Sequence, residues 1–493
     1  MNHLTSETFH ENARAALADV QLRGALRNAT SLFGERRLSA ARSLKNWEEL
    51  RSQARSIKDK VLLNLNVYIE EFVRQAETRG ARIHWARDGR EANEIVCRLA
   101  KERNARVVVK SKSMTTEEIH LNDSLQDEGI QVIETDLGEY IIQLAGEVPS
   151  HIIVPAIHKT KKQIAELFTS ELGIEPTDDV AKLTSTARTI LRDKFAVADV
   201  GVSGVNFGIA ETGTICILEN EGNIRLTTSL PAMHIAVMGI EKVLPRFGDL
   251  DVFLKLLPRS GTGQRLTTYQ SLITGTKRRP SDEGPEELHI ILLDNGRSRM
   301  LAHPVTRQSL ACIRCGACLN ACPVYQQIGG HAYGSVYPGP IGAVITPQLV
   351  VFEKTSQLPY ASSLCGACRE VCPVKIDIPQ LLLHLRTEIS QGGGRLDVSK
   401  LKRSRFESTA FTLWATIMSS PSLYNASTKL GRLVQRFIVN KGQIRQLSKI
   451  SAWLFPALKA WTNGRDLRPL DPTSFRSHWR GELSRNVDES KRN

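Results

Sequence analysis

The chain has 493 residues, 41% of them hydrophobic and 24% charged, enough for two to four domains with cores of their own. Its start, MNHLTSETFHENARAALADV, has no apolar signal core, and no run reaches the length of a spanning helix; a cytoplasmic protein is predicted. The formal charge of +13 gathers at the end, where residues 395–493 hold 19 Lys and Arg against 7 Asp and Glu, yet no nucleic-acid-binding motif accompanies it and no such partner is expected.

Residues 1–75 are rich in Ala, Arg, Glu and Leu, lack proline, and show helical periodicity in NWEELRSQARSIKDKVLLNLNVYIEEFVRQAE. Over 76–302, helical segments alternate with short β-branched runs. EANEIVCRLAKERN precedes ARVVVKS, DSLQDEG precedes IQVIETD, and SHIIVPA reads as a further strand before KKQIAELFTSEL. This alternation predicts an α/β domain with a mainly parallel sheet. NFGIAETGTICILENEGNIRLTT reads as a hairpin region and LHIILLDNGR as a late strand. No glycine-rich nucleotide fingerprint follows any of these strands. Glu211, Thr212, Gly213 and Thr214 form either a turn or a cradle for a small anion, and His151 and His158, which bracket the SHIIVPA strand, read as structural histidines.

Residues 303–393 carry seven of the nine cysteines. The first group, Cys312, Cys315, Cys318 and Cys322, closes with Pro323 and follows the C-x2-C-x2-C-x3-C-P spacing of iron-sulfur ferredoxins. Thiolates at i, i+3 and i+6 wrap one cluster, while the fourth is carried toward a second. The second group, Cys365, Cys368 and Cys372 before Pro373, has Ser362 where another cysteine would stand. By this crossover, one cluster takes Cys312, Cys315, Cys318 and Cys372, and the other takes Cys322, Cys365 and Cys368. The second is then 3Fe-4S, or 4Fe-4S with a fourth ligand from Ser362, solvent, a partner or Cys216. Zinc is disfavoured, because structural zinc takes two separated pairs. Cys97, on a helical apolar face, and Cys216, in the apolar run TICIL, read as core residues.

Between the groups, IGGHAYGSVYPGPIGAVITP reads as an ordered loop, with His331, Tyr333 and Tyr337 either lining an electron-entry surface or packing over a cluster. IDIPQLLLHLRTEIS is a predicted helix, and QGGGR marks a boundary. Residues 394–493 form a basic region with Trp414, Trp453 and Trp461. They are either an interfacial anchor at the inner membrane face, a docking surface for an acidic partner, or a solvated helical domain.

CIRCGACLNACPVYQQIGGHAYGSVYPGPIGAVITP with LCGACREVCPVKIDIP resembles the lactate utilization protein B family, as do PSHIIVPAIHK, GIAETGTICILENEGN and WTNGRDLRPLDPTSFRSHW. The resemblance implies a lactate-utilization (LUD) α/β domain similar to the CoA-transferase and ribose-phosphate isomerase fold, then a ferredoxin-like two-cluster domain of helices. It further implies an electron-transfer subunit acting with lactate utilization proteins A and C in oxidising L-lactate to pyruvate, with the same seven cysteines as ligands and an acceptor such as quinone. Two other readings stand beside it. In one, the α/β domain itself binds and oxidises a small hydroxy acid near Glu211 to Thr214 and Arg225. In the other, an open iron of the three-cysteine cluster acts as a Lewis acid in a dehydration.

Overall fold

The computed structural model describes residues 4–279, 281–350, 352–391, 405–439, 442–444, 462 and 465–479. It divides into two compact units, 1–401 and 402–493.

In the first unit the strands are β1 (Ala81–Ala86), β2 (Val107–Lys110), β3 (Gln131–Glu134), β4 (Val200–Gly204), β5 (Phe207–Ile209), β6 (Thr214–Glu219), β7 (Met233–Gly239), β8 (Val243–Leu244), β9 (Tyr269–Ile273) and β10 (Glu287–Leu293). Six of them form an all-parallel sheet in the order β1-β10-β7-β4-β2-β3, as the alternation of apolar runs and helices predicts. β7, MHIAVMG, is buried at every position, the run expected of a strand covered on both faces. Helix Gly89–Glu102 packs Ala92, Val96 and Leu99 on one face, and helix Leu65–Thr78 packs Ile69, Phe72 and Ala76 on the other. β5 and β6 form the predicted hairpin inside a second sheet, β8-β5-β6-β9.

The parallel sheet opens a crevice at its carboxyl ends. The chain runs outward from β2 to β3 and then returns to place β4 on the other side of β2. At such a reversal the loops after the strands diverge and leave a crevice. Lys112 and Ser113 after β2, Val205 after β4, and Lys242 after β7 all reach it.

SHIIVPA is not a strand. His151 Nδ1 accepts the backbone N–H groups of Ile153 (3.0 Å) and Val154 (3.2 Å), and Ser150 N–H donates to Pro155 O, which curls the segment into turns. The reading of 328–347 as a loop holds only for its first part, because Gly339–Leu349 is a helix with Pro340 in its first turn, where a missing N–H costs nothing. Gly342 is required there: a Cβ at this position would lie 1.7 Å from Tyr337 O.

The N-terminal periodicity is realised as helices Val20–Arg42, Trp47–Leu63 and Leu65–Thr78. Asp19 Oδ1 caps the first by accepting Leu22 N–H at 2.9 Å, and Asn64 separates the last two. Leu26, Leu50 and Ala54 from these helices share one apolar core with Cys315, Cys318, Leu381 and Leu385. The cysteine loops are thus walled by helices some 300 residues away in sequence.

The second unit contains helices Arg405–Ser419 and Pro421–Gln435 and the short helix Phe475–His478. Arg432 and Gln435 hold the later segment by donating to Asp471 O (2.7 Å) and Leu470 O (2.8 Å). Phe411, Leu413, Trp414 and Phe437 are exposed. Trp453 and Trp461 lie outside the described residues. Among the described residues, no helix is long and apolar enough to cross a membrane.

Candidate iron-sulfur centre and adjoining cleft

The two cysteine segments adopt one backbone form. Arg314 (φ 59°) and Gly316 (φ 72°) in CIRCGAC match Leu364 (φ 55°) and Gly366 (φ 88°) in SSLCGAC, and each segment leads into a short helix, Ala317–Asn320 and Ala367–Val371. These left-handed residues turn the amides inward. Arg314 N–H points at Cys312 Sγ (3.4 Å), and Leu364 N–H donates in the same i to i−2 manner to Ser362 Oγ (3.1 Å). Ser362 therefore occupies the position that Cys312 occupies in the first loop.

Cys312, Cys315, Cys318 and Cys372 line one small pocket, closed by Ile313, Ile341, Val374 and Ile376. Cys372 enters it from the second group because Ile376 N–H binds its Sγ at 3.3 Å and turns the chain back. Arg51 clamps the same loop from outside, donating to Cys372 O (2.8 Å) and Glu370 O (2.8 Å), while Arg37 donates to Val371 O (3.0 Å). Cys322 and Cys368 are buried and Cys365 is exposed, and these three are near enough to act on one another electrostatically. Cys216 is fully buried on β6 opposite Phe207, and Cys97 Sγ donates to Ser124 O; both are core residues.

Burial pushes the thiols of Cys315 and Cys318 up, that of Cys372 to about 11 and that of Cys368 to about 12. A thiolate in such surroundings needs a cation or metal to hold its charge. Cys365 alone is lowered, by the Ala367 amide and the Ser363 hydroxyl. The donor set fits iron and sulfur: soft ligands, apolar walls and inward amides are the means by which proteins hold and tune such clusters. One orphan group fits as well. Tyr333 is fully buried and its hydroxyl has no partner among the described residues, yet it lies near both Cys318 and Cys322, where a sulfur acceptor would satisfy it.

Tyr333 and Tyr337 are buried and do not line an electron-entry surface; only His331 is exposed, its Nε2 bonded to Val148 O at 2.7 Å. Tyr337 Oη donates to Glu118 Oε2 (2.6 Å) in a buried network. Arg297 there binds Glu118 through two nitrogens (2.8 and 2.9 Å) and Glu241 through Nε (2.7 Å). Arg314 joins it 3.7 Å from Glu241 and stacks over Tyr337 at 4.8 Å. Burial alone would raise Glu241, but Arg297, Lys242 and Arg314 outweigh it and bring the carboxyl down to about 2. His151 is held neutral by burial, its pKa brought to about 3, and its Nε2–H donates to Asn320 Oδ1 at 3.1 Å. It is structural, as expected.

Glu211 to Thr214 and Arg225 do not form a site. Glu211 accepts Phe247 N–H at 2.8 Å, and a Cβ on Gly213 would lie 2.3 Å from Ala76 N, so this turn packs against helix Leu65–Thr78. Arg225 follows the opposite end of β6, roughly 17 Å of strand away, and stacks over Tyr269. The principal cleft, about 330 Å³, instead opens at the carboxyl ends of β2, β4 and β7 beside Arg314. Lys112, Lys242, Glu219 and Glu221 line it; burial and Asp136 push Glu221 up to about 7. Sequence reading missed these residues. The available signal was a basic residue in the turn after an apolar strand, as in VVVKSK and MGIEK.

A parallel α/β domain joined to paired cysteine loops of this geometry defines an iron-sulfur redox protein. The LUD domain family matches residues 69–293, the 4Fe-4S dicluster domain 308–376, and the C-terminal domain of lactate utilisation protein B 384–483. Lactate utilization protein B of Bacillus pumilus is 42% identical over 96% of both chains, and that of Bacillus subtilis 42% identical over 96% of this chain and 95% of its own. The "uncharacterized electron transport protein YkgF" of Escherichia coli is 42% identical over 97% of both. The chain belongs to the lactate utilization protein B family.

Proposed function

We propose that this chain is the iron-sulfur electron-transfer subunit of a system that oxidises L-lactate to pyruvate. The observation that carries this reading is the meeting of Cys312, Cys315, Cys318 and Cys372 in one buried pocket, with Cys322, Cys365 and Cys368 forming a second set that reaches the surface at Cys365. The first set would hold a 4Fe-4S cluster. The second would hold a cluster on three thiolates, either 3Fe-4S or 4Fe-4S with Ser362 Oγ or solvent at the fourth position. Bound there, the clusters supply one-electron redox chemistry. The protein's residues do the rest: amides of Arg314, Ala317 and Ile376 orient the sulfurs, Arg37 and Arg51 fix the Cys372 loop, and Ile341 and Val374 exclude water.

Buried and exposed thiolate sets in series suit a relay, whereas Lewis-acid dehydration needs one open cluster and no neighbour. The partners on this reading are lactate utilization proteins A and C, with an acceptor such as quinone. Anaerobically purified protein is expected to carry about seven to eight iron atoms. Cluster absorbance should bleach with L-lactate only when the partner subunits are added. Stoichiometric zinc without visible absorbance, or bleaching by lactate in the isolated chain, would contradict the assignment.

The basic 394–493 region would dock this carrier on an acidic surface, either a partner or the cytoplasmic membrane face, with Trp414 and Phe437 exposed beside the charge. Deleting residues 398–493 is expected to leave both clusters in place while lowering lactate-dependent electron flow in the assembled system. Association measured with anionic vesicles and with partner subunits should weaken with salt, since exposed charges beyond about 8 Å are screened at physiological ionic strength. Unchanged electron flow after deletion would reduce the region to a solvated helical domain.

A further inference from the structure

The cleft at the carboxyl ends of β2, β4 and β7 adjoins the first cysteine loop, with Gly261 and Ile153 of its wall packed against Cys315 and Gly316. Arg314, between Cys312 and Cys315, lines both the cleft and the four-cysteine pocket. Its side chain is 10% exposed, and its Nη1 is buried with no hydrogen-bond partner among the described residues. Lys242, also on the cleft wall, is 7% exposed and makes no hydrogen bond among the described residues, although Glu241 and Cys312 act on it electrostatically.

The neighbouring cations differ. Arg51 donates to Cys372 O and Glu370 O, and Lys58 to Glu241 O, so their charges are already oriented by the fold. A buried cation with unused donors is costly unless an anion satisfies it. Arg314 and Lys242 share Glu241 as a counter-charge and both line the cleft, so the donors that Glu241 leaves unused can take up an anion with two acceptor oxygens. Ile152, Ile217 and Leu257 give the cleft an apolar side suited to a short carbon chain, and the Asn206 side-chain amide, whose Oδ1 accepts Leu218 N–H, offers a further donor. No glycine-rich phosphate loop borders it; Lys112 and Lys242 lie in the turns that follow β2 and β7.

We infer that this cleft binds a small 2-hydroxy or 2-oxo carboxylate, with Arg314 and Lys242 receiving the carboxylate and its neighbouring oxygen, beside the cluster of Cys312, Cys315, Cys318 and Cys372. The inference rests on the lactate-linked electron-transfer reading and adds to it a binding site within this subunit.

Equilibrium dialysis of anaerobic, full-length, cluster-loaded protein against labelled pyruvate and L-lactate tests it, with inorganic phosphate and acetate as competitors. One saturable site is expected, at which pyruvate and lactate displace each other and phosphate competes weakly. Pyruvate should also perturb the magnetic spectrum of the cluster near Cys312. Lys242→Met should weaken binding about tenfold to a hundredfold, the range for losing a hydrogen-bonded charge. Should that variant lose its clusters, Thr262→Trp decides, since Thr262 follows helix Leu250–Gly261 and lines the cleft; iron content is measured alongside, because Gly261 packs against Cys315 O. Absence of saturable binding, binding that survives Thr262→Trp unchanged, or phosphate competing as well as pyruvate would overturn the inference. Lactate-driven reduction through partner subunits without carboxylate binding would sink this site alone. Carboxylate binding without any such reduction would sink the electron-transfer reading and leave the site.

Discussion

Cys372→Ser is expected to abolish the cluster beside Cys312, Cys315 and Cys318 while sparing the one beside Cys365 and Cys368, although Cys372 follows the latter pair in sequence. The reason is geometric. Cys372 lines the pocket of the first group, its Sγ fixed by Ile376 N–H and its carbonyl held by Arg51 from helix Trp47–Leu63. Serine keeps the backbone path but is a poor ligand for iron, so about half of the iron should be lost. Cys322→Ser should do the converse, because Cys322 acts electrostatically on Cys365 and lies outside that pocket. Magnetic spectra of the two reduced variants should lose different centres. Loss of the same centre in both would refute the interleaved arrangement.

Arg297→Met is expected to destabilise the protein by about 3–5 kcal/mol, the range for stranding a buried charge by removing its partner. Arg297 is 1% exposed, and its guanidinium is shared between Glu118 and Glu241, themselves 4% and 1% exposed. Without it, Glu241 keeps Arg314 at 3.7 Å, with Lys242 and Lys58 nearby. The effect must also depend on pH in a set direction. The folded Glu241 carboxyl titrates at about 2, below the roughly 4.3 of a free glutamate. Its stabilisation is therefore complete above the unfolded value and is lost as pH falls from about 4 toward 2. Denaturant midpoints of wild type and variant should differ most near neutrality and converge through that window. An unchanged midpoint at pH 7, or a gap constant into acid, would show that the network contributes no charge-dependent stability. Because Arg314 belongs both to the network and to the Cys312 loop, iron content should fall as well.

Much of the fold was legible because its signals are short in range. Alternation of apolar runs with amphipathic helices requires only local hydrogen bonding and one buried face, so ARVVVKS, IQVIETD and LHIILLDNGR read as parallel strands and fold as such. The exception is instructive: SHIIVPA has the composition of a strand, but His151 uses Nδ1 to take two amides that a sheet would need. Likewise, GPIGAVITPQL looks like a loop by its prolines and glycines. It folds as a helix because Pro340 lies in the first turn and Gly342 lets the helix pass against Tyr337 O.

The cysteine spacing by itself determined a chemistry, since thiols three residues apart in a glycine-bearing segment can share one loop whatever surrounds them. Position Ser362 was legible in the same way, and the structure adds that its oxygen takes the amide that a cysteine sulfur takes in the sister loop. Tertiary structure alone decided what lies around those loops. Arg51 and Arg37 arrive from helices more than 300 residues away, Tyr333 and Tyr337 turn inward, and the Glu211 segment becomes a packed turn. Lys242 and Arg314 meet at a cleft only because β7 and the Cys312 loop converge beside β4. Such meetings depend on burial and charge balance summed over the whole core, and no window of adjacent residues contains that sum.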